Sequence, residues 1–201
     1  MLNNELQKLT KIATQMEALP FKDVVKATSG YELIPINLND QKDAELIGDL
    51  IASCTNFSAL CKKAKRRFFG NRINEVSRAI ENELVEEIRK TGIKPKILAS
   101  MGYPDIELTD KHERLTYLEV KVSSLTKYST LRTFYYSSGR KIENNARHLL
   151  LGLLIKEETD KYWKMEKWTL IDLSKLMVNL KTEFNTNNIE IYKPDSIIAE
   201  A

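Results

Sequence analysis

The sequence predicts an α/β (α+β) protein with a central mixed β-sheet flanked by helices. Two alternating runs, at 102–108 and 117–122, are typical of half-buried strands because successive side chains point to opposite faces. A continuous apolar run at 148–155 is typical of a strand buried within a sheet. Apolar residues at helical spacing between Asn71 and Thr91 predict an amphipathic helix that can pack on that sheet.

The two alternating runs predict an antiparallel hairpin. They are joined by a charged segment, 110–114, that contains no strand formers. The apolar residues of both runs would cover a core. The opposite face of the hairpin would then gather Asp105, Glu119 and Lys121 at one place.

Two carboxylates and one amine at a shared position favour metal-assisted chemistry. Mg²⁺ is held in proteins by one or two carboxylates together with water and phosphate. At such a site the ion polarises a phosphodiester and acidifies a bound water. Lys121 would orient that water or meet the charge that develops on the phosphate. The alternative is a solvated strand face whose acids are incidental.

The predicted helices lie mainly before the hairpin. An amphipathic helix is predicted over 2–16, and a second begins near Asn39 or Asp40, which are good caps. Residues 21–40 read as irregular apart from that cap. In the helix at 71–91, a step of 100° per residue puts Glu81 on the flank of the apolar stripe, facing a cleft between helix and sheet.

Two elements are predicted after the buried strand at 148–155. The aromatic and apolar residues of 162–172 predict a further strand. Asp172 and Ser174 then offer a cap for a helix that would carry Leu176, Met177, Leu180 and Phe184.

Composition bounds the class of protein. The 201 residues are 42% hydrophobic, which suits one domain with a real core. No run of eighteen apolar residues and no signal peptide is present, so a cytoplasmic protein without a membrane span is expected. Two cysteines indicate buried thiols in a reducing compartment, and two histidines make a zinc site improbable.

Basic and hydroxyl-rich segments predict contacts with DNA. Five cations occur within 62–67 beside two aromatics, and 123–141 is polar, basic and without a steady period. A solvated helix end and a plain polar surface loop are the alternatives. The predicted DNA-binding residues are Lys62, Lys63, Lys65, Arg66, Arg67, Ser123, Ser124, Lys127, Arg132, Arg140 and Lys141.

The combination of Pro104-Asp105 with Glu119-Val120-Lys121 resembles the PD-(D/E)xK nuclease signature. The order of elements over 71–184 also resembles the core of that superfamily, and the stretches 119–124, 131–139 and 146–150 resemble type II restriction endonucleases. The resemblance implies a restriction-endonuclease-like core with an N-terminal helical elaboration. We therefore expect a single endonuclease domain over 1–201, with a helical region at 1–70 and a catalytic core at 71–184.

The resemblance also implies the activity and the roles of the site residues. Asp105 and Glu119 would bind Mg²⁺, Lys121 would be catalytic, and Glu81 would be the acid on the preceding helix, with Glu75 as the second choice. The enzyme would be a homodimer that cuts double-stranded DNA within a short palindrome. A Holliday-junction or repair nuclease of the same superfamily is one alternative. A DNA-binding protein that does not cut is another, and a structural protein is a third.

Overall fold

The computed structural model describes residues 4, 5, 7, 18–65, 67–98, 102–124, 141–179, 194 and 197. The chain divides into two compact units, one formed by 1–19 with 177–201 and the other by 20–176. Most of the helix predicted over 2–16 lies outside the described residues. Within the described part of the chain, no helix combines the length and apolar character needed to cross a membrane.

Three helices belong to the larger unit: α1 (Phe21–Ser29), α2 (Gln41–Lys63) and α3 (Ile73–Arg89). The predicted cap of α2 is confirmed, because the backbone N–H of Asp43 donates to Asp40 Oδ1 at 3.0 Å. The helix predicted at 71–91 is α3, and its predicted apolar stripe is buried. Helix and sheet therefore share one core, as the periodicity predicts.

The strands form a seven-stranded mixed sheet and a separate two-stranded one. The strands are β1 (Leu19–Pro20), β2 (Leu33–Ile34), β3 (Phe68–Phe69), β4 (Lys94–Ile97), β5 (Ile106–Thr109), β6 (Leu115–Ser124), β7 (Ala146–Thr159), β8 (Tyr162–Asp172) and β9 (Met177–Val178). The larger sheet has the order β3-β8-β7-β6-β5-β4, with β2 paired to β7. The β5–β6 hairpin is antiparallel as predicted, whereas β6 and β7 run parallel. This architecture confirms the predicted fold class.

The sheet buries one face against α2 and α3. The core cluster takes Leu118 and Val120 from β6, while Glu119 and Lys121 alternate onto the other face. A smaller aromatic cluster forms around Tyr103, Tyr117 and His148, where the His148 ring lies 5.0–5.8 Å from the two tyrosine rings, measured between centroids. Glu119 and Lys121 are thus carried by a strand whose other face is fixed in the main core.

Two predictions of secondary structure are wrong. Residues 21–40 were expected to be irregular, yet α1 begins after Pro20, which makes no side-chain capping bond. A helix was expected after Asp172, and Asp172 Oδ1 does accept the Ser174 N–H at 2.9 Å. That cap begins only the 3₁₀ turn Leu173–Lys175, because the chain then becomes extended and β9 pairs with β1. Leu180 and Phe184 of the predicted helix lie outside the described residues.

Candidate active site

The hairpin register brings Asp105 and Glu119 together. Ile106 pairs with Leu118, so the residues one step outward on the two strands are neighbours. The backbone N–H of Val120 donates to Asp105 Oδ2 at 2.8 Å. This bond holds the Asp105 carboxylate beside the strand that carries Glu119, which is the juxtaposition that the sequence predicts.

The Glu119 carboxylate is buried and only half satisfied. The residue is 2% exposed, and its Oε1 accepts a hydrogen bond from Lys121 Nζ at 2.5 Å. Its Oε2 is buried and has no hydrogen-bond partner among the described residues. Burial, and then the negative charge of Asp105, raise the pKa of Glu119 to about 7, although Lys121 opposes them. The site therefore concentrates more negative charge than Lys121 neutralises.

This donor set fits a hard divalent cation. Asp105 and Glu119 supply two carboxylates, and the unpartnered Oε2 of Glu119 is an oxygen that a cation would satisfy. Across the described residues, no group of three or more His, Cys, Asp and Glu side chains is placed to bind a metal ion. Two protein carboxylates with water and a DNA phosphate match the set that Mg²⁺ uses.

Glu81 lies at the margin of the same cluster. Its Oε1 accepts a hydrogen bond from Ser77 Oγ at 2.6 Å. Burial raises the pKa of Glu81 and the charge of Asp105 raises it further, while the bond from Ser77 and the charge of Lys121 oppose them. Glu75 instead accepts the Asn71 N–H at 2.8 Å at the start of α3. Of the two candidate acids, Glu81 is therefore the one in electrostatic contact with Asp105 and Lys121.

The turn that leads into Asp105 is held from two sides. Lys141 Nζ donates to the carbonyls of Gly102 and Pro104 at 2.5 and 2.8 Å. On the other side, Tyr103 Oη and His148 Nδ1 are 2.5 Å apart within the aromatic cluster. Burial lowers the pKa of His148 to about 4 and lowers the pKa of Lys141, which Asp105 and Glu119 oppose. His148 is thus a neutral residue that supports the aromatic cluster.

Comparison with known proteins identifies the family. Residues 14–195 match the family described as Type II restriction enzyme MjaV. The chain belongs to this family of type II restriction enzymes. One relative is the Type II restriction enzyme MjaV of Methanocaldococcus jannaschii, which is 36% identical over 214 residues covering 96% of this chain and 93% of the relative. The resemblance to type II restriction endonucleases is therefore confirmed.

The basic segment of this MjaV-family chain lies on the surface next to the edge of the sheet. Lys62 and Lys63 occupy the last turn of α2, and Lys65 follows, all three exposed. Arg67 is also exposed, and its Nε is 2.5 Å from Glu158 Oε2. Arg66 lies outside the described residues.

The sheet register places this basic segment at the end where β6 stops. Ser124, the last residue of β6, pairs with Ile155 of β7. Two residues further along β7, Glu157 pairs with Trp163, which in turn pairs with Phe68 directly after the basic segment. Three strand spacings separate β3 from β6, which is roughly 14 Å. One end of the sheet thus carries both the basic segment and the exit of the chain into 125–140.

The other predicted DNA-binding residues differ in their exposure, and some lie outside the described part of the chain. Ser123 Oγ donates to the Leu153 carbonyl at 3.4 Å, and Ser124 is buried at 3% exposure. The buried Ser124 would have to turn outward to contact DNA. Lys127, Arg132 and Arg140 lie outside the described residues. Lys141 contacts the turn before Asp105, so its predicted DNA contact stays a prediction.

Sequence reasoning did not find what holds the Asp105 turn. Tyr103 and His148 are 45 residues apart, and Lys141 is 37 residues from Pro104. Periodicity and motif spacing report on neighbours along the chain, so neither marks such contacts. The turn itself carried a signal, since a Gly-Tyr-Pro sequence directly before a site carboxylate indicates a backbone of fixed shape.

Proposed function

We propose that this type II restriction enzyme family member hydrolyses phosphodiester bonds of double-stranded DNA at a short palindrome and depends on Mg²⁺. The observation that carries the proposal is the pair of Asp105 and Glu119, in which one buried Glu119 oxygen has no hydrogen-bond partner among the described residues and the Lys121 ammonium lies beside the other. A cluster of carboxylates with a perturbed pKa of this kind is typical of a catalytic site.

Each site residue has a role in this proposal. Asp105 and Glu119 would hold Mg²⁺, which would supply Lewis-acid polarisation of the phosphodiester and make a water molecule more acidic. Lys121 orients the attacking water and offsets the negative charge that grows on the phosphate. Glu81, whose pKa is raised, would accept a hydrogen bond from the attacking water. The products carry a 5′-phosphate and a 3′-hydroxyl.

The proposed DNA path runs from this site to the basic segment. Lys121 lies three residues before the end of β6, roughly 10 Å from the sheet end next to which Lys62, Lys63, Lys65 and Arg67 lie. Two proteins bound with two-fold symmetry match a palindrome, so we propose a homodimer. We also propose a cytoplasmic location, because the buried Cys54 is a thiol and not part of a disulfide.

Digestion of linear DNA of known sequence tests the proposal. The wild type is expected to give discrete fragments with Mg²⁺ and intact DNA with EDTA. Asp105→Ala and Lys121→Ala are expected to abolish cleavage while binding to the same DNA survives. Glu107→Ala is the matched control, because Glu107 lies on the same hairpin and forms only a surface ion pair with Lys96.

The same digests separate the alternatives. Cleavage of branched but not linear duplex DNA would indicate a junction or repair nuclease. Binding without any cleavage at every Mg²⁺ concentration would indicate a DNA-binding protein. Wild-type cleavage rates in Asp105→Ala or Lys121→Ala would overturn the assignment of the site. Sedimentation analysis of the protein on a cleaved duplex reports whether two copies bind.

A further inference from the structure

The strongest unassigned feature is the contact between Lys141 and the turn before Asp105. Lys141 is half-buried and donates to the carbonyls of Gly102 and Pro104, on either side of Tyr103. These residues lie outside the helices and strands, so no ladder of backbone bonds fixes them. Gly102 has a φ of +97°, a conformation that glycine adopts easily, and Pro104 has no N–H to donate. One ammonium therefore crosslinks the backbone on either side of Tyr103, while the Tyr103 side chain is held in the aromatic cluster.

The position of this turn, together with the bond from the Val120 N–H, determines where the Asp105 carboxylate lies. Asp105 is covalently next to Pro104, whose carbonyl is one of the two acceptors of Lys141. Its side chain accepts from the Val120 N–H and faces Glu119. A shift of the Pro104 carbonyl would therefore carry the Asp105 carboxylate away from Glu119. Displacement of a reacting group by about 1 Å is enough to lower a catalysed rate by about 100-fold.

We propose that Lys141 is a positioning residue, which holds the turn at 102–104 so that Asp105 and Glu119 face one divalent cation. Its ammonium is engaged by two carbonyls, so its direct contacts are with the backbone of the turn. This inference rests on the proposed function, because it concerns the same cation site. Lys141 belongs to the polar 123–141 stretch that was predicted to bind DNA. In this proposal it supports the cation site, and this role is distinct from contact with a DNA phosphate.

The test uses Lys141→Met, which keeps the length of the side chain and removes its donors. The first measurement is the rise in unfolding midpoint that Ca²⁺ or Mg²⁺ produces in the protein without DNA. Loss of a residue that orients a metal ligand lowers metal affinity by about 10–100-fold. The cation concentration for half-maximal stabilisation is therefore expected to rise by about tenfold or more, and kcat to fall by about 10–100-fold at an unchanged KM for DNA.

Lys111→Met is the matched control. Lys111 lies at the other end of the same hairpin, pairs with Asp49 at 2.8 Å, and its loss changes the net charge by the same amount. This variant is expected to keep the cation response and cleavage of the wild type. The salt dependence of DNA binding in Ca²⁺ separates positioning from phosphate contact, because loss of a phosphate contact lowers the salt slope by about one. Lys141→Met is expected to keep the slope of Lys111→Met.

A wild-type cation response in Lys141→Met would overturn the inference, whatever happens to cleavage. A normal cation response together with a salt slope lowered by about one would overturn it in favour of a phosphate contact. If Lys141→Met does not fold, Lys141→Gln, which keeps an amide donor, is judged by the same two measurements. A wild type that neither responds to cations nor cuts DNA refutes the proposed function instead, so the two failures are distinguishable.

Discussion

Replacing Glu119 by glutamine should stabilise the cation-free protein while abolishing cleavage. The folded-state pKa of Glu119 is about 7, above its usual value of 4.5, because the residue is buried next to Asp105. The folded chain thus holds this proton more tightly than the unfolded chain. Stability from this group is fully present below about pH 4.5 and is lost as pH rises through about 7.

The size of the effect follows from that difference in pKa. At 1.36 kcal/mol per pH unit, the interval between 4.5 and about 7 corresponds to about 3 kcal/mol of lost stability above neutrality. A glutamine side chain cannot ionise, so the Glu119→Gln variant escapes this loss. We expect the variant to exceed the wild type by about 2–3 kcal/mol near pH 8 and to differ little near pH 5.

Urea unfolding in EDTA at the two pH values measures this effect. Glu107→Gln is the control, because Glu107 forms a surface ion pair with Lys96 on the same hairpin and should change stability by at most about 0.5 kcal/mol. Equal stability of Glu119→Gln and wild type near pH 8 would refute the reasoning. So would a gain of the same size at both pH values, since that would reflect packing and not ionisation.

Three further predictions test other parts of the structure. The double variant Lys62→Ala, Lys63→Ala should reduce the salt slope of DNA binding by about two and leave the free energy of unfolding nearly unchanged, as measured by binding titrations in Ca²⁺ at several salt concentrations. Asp43→Ala should lower the free energy of unfolding by about 3–5 kcal/mol in urea, because Asp43 is 2% exposed and its loss would leave the largely buried Arg147 without its carboxylate, although Arg114 would keep Asp110. Gly70→Ala should cost about 1–3 kcal/mol in the same assay, because a Cβ there would lie 2.8 Å from Val76 Cγ2.

Local periodicity predicted those parts of the fold in which one face of an element is buried. The α3 stripe, the β5–β6 hairpin and β8 follow directly from apolar spacing. The strand at 148–155 was also predicted, but it extends over Ala146–Thr159. Leu150 and Leu154 are only half-buried, so its second face is more open than a continuous apolar run indicates.

Contacts between distant parts of the chain could not be predicted in this way. Asp43 accepts from Arg114 and Arg147, which are 71 and 104 residues away. The predicted chemistry of Asp105, Glu119 and Lys121 needed only one hairpin register, so the sequence was sufficient to bring them together. Lys141 and His148 contact the turn before Asp105 only because the tertiary fold brings them there. The spacing of apolar residues along the chain carries no information on such contacts.

The two ends of the hairpin treat their buried acids differently, which argues for a functional cluster at one of them. At the turn, Arg114 forms ion pairs with Asp110 and with Asp43 of α2, and both acids are buried like Glu119. Although burial opposes it, hydrogen bonds from backbone N–H groups and arginine side chains lower the pKa of both. At the other end burial and the charge of Asp105 raise the pKa of Glu119 and of Glu81, and the opposing charge of Lys121 does not offset them. The fold can therefore neutralise buried acids with arginine, and the end that lacks this neutralisation is the end where a cation would supply it.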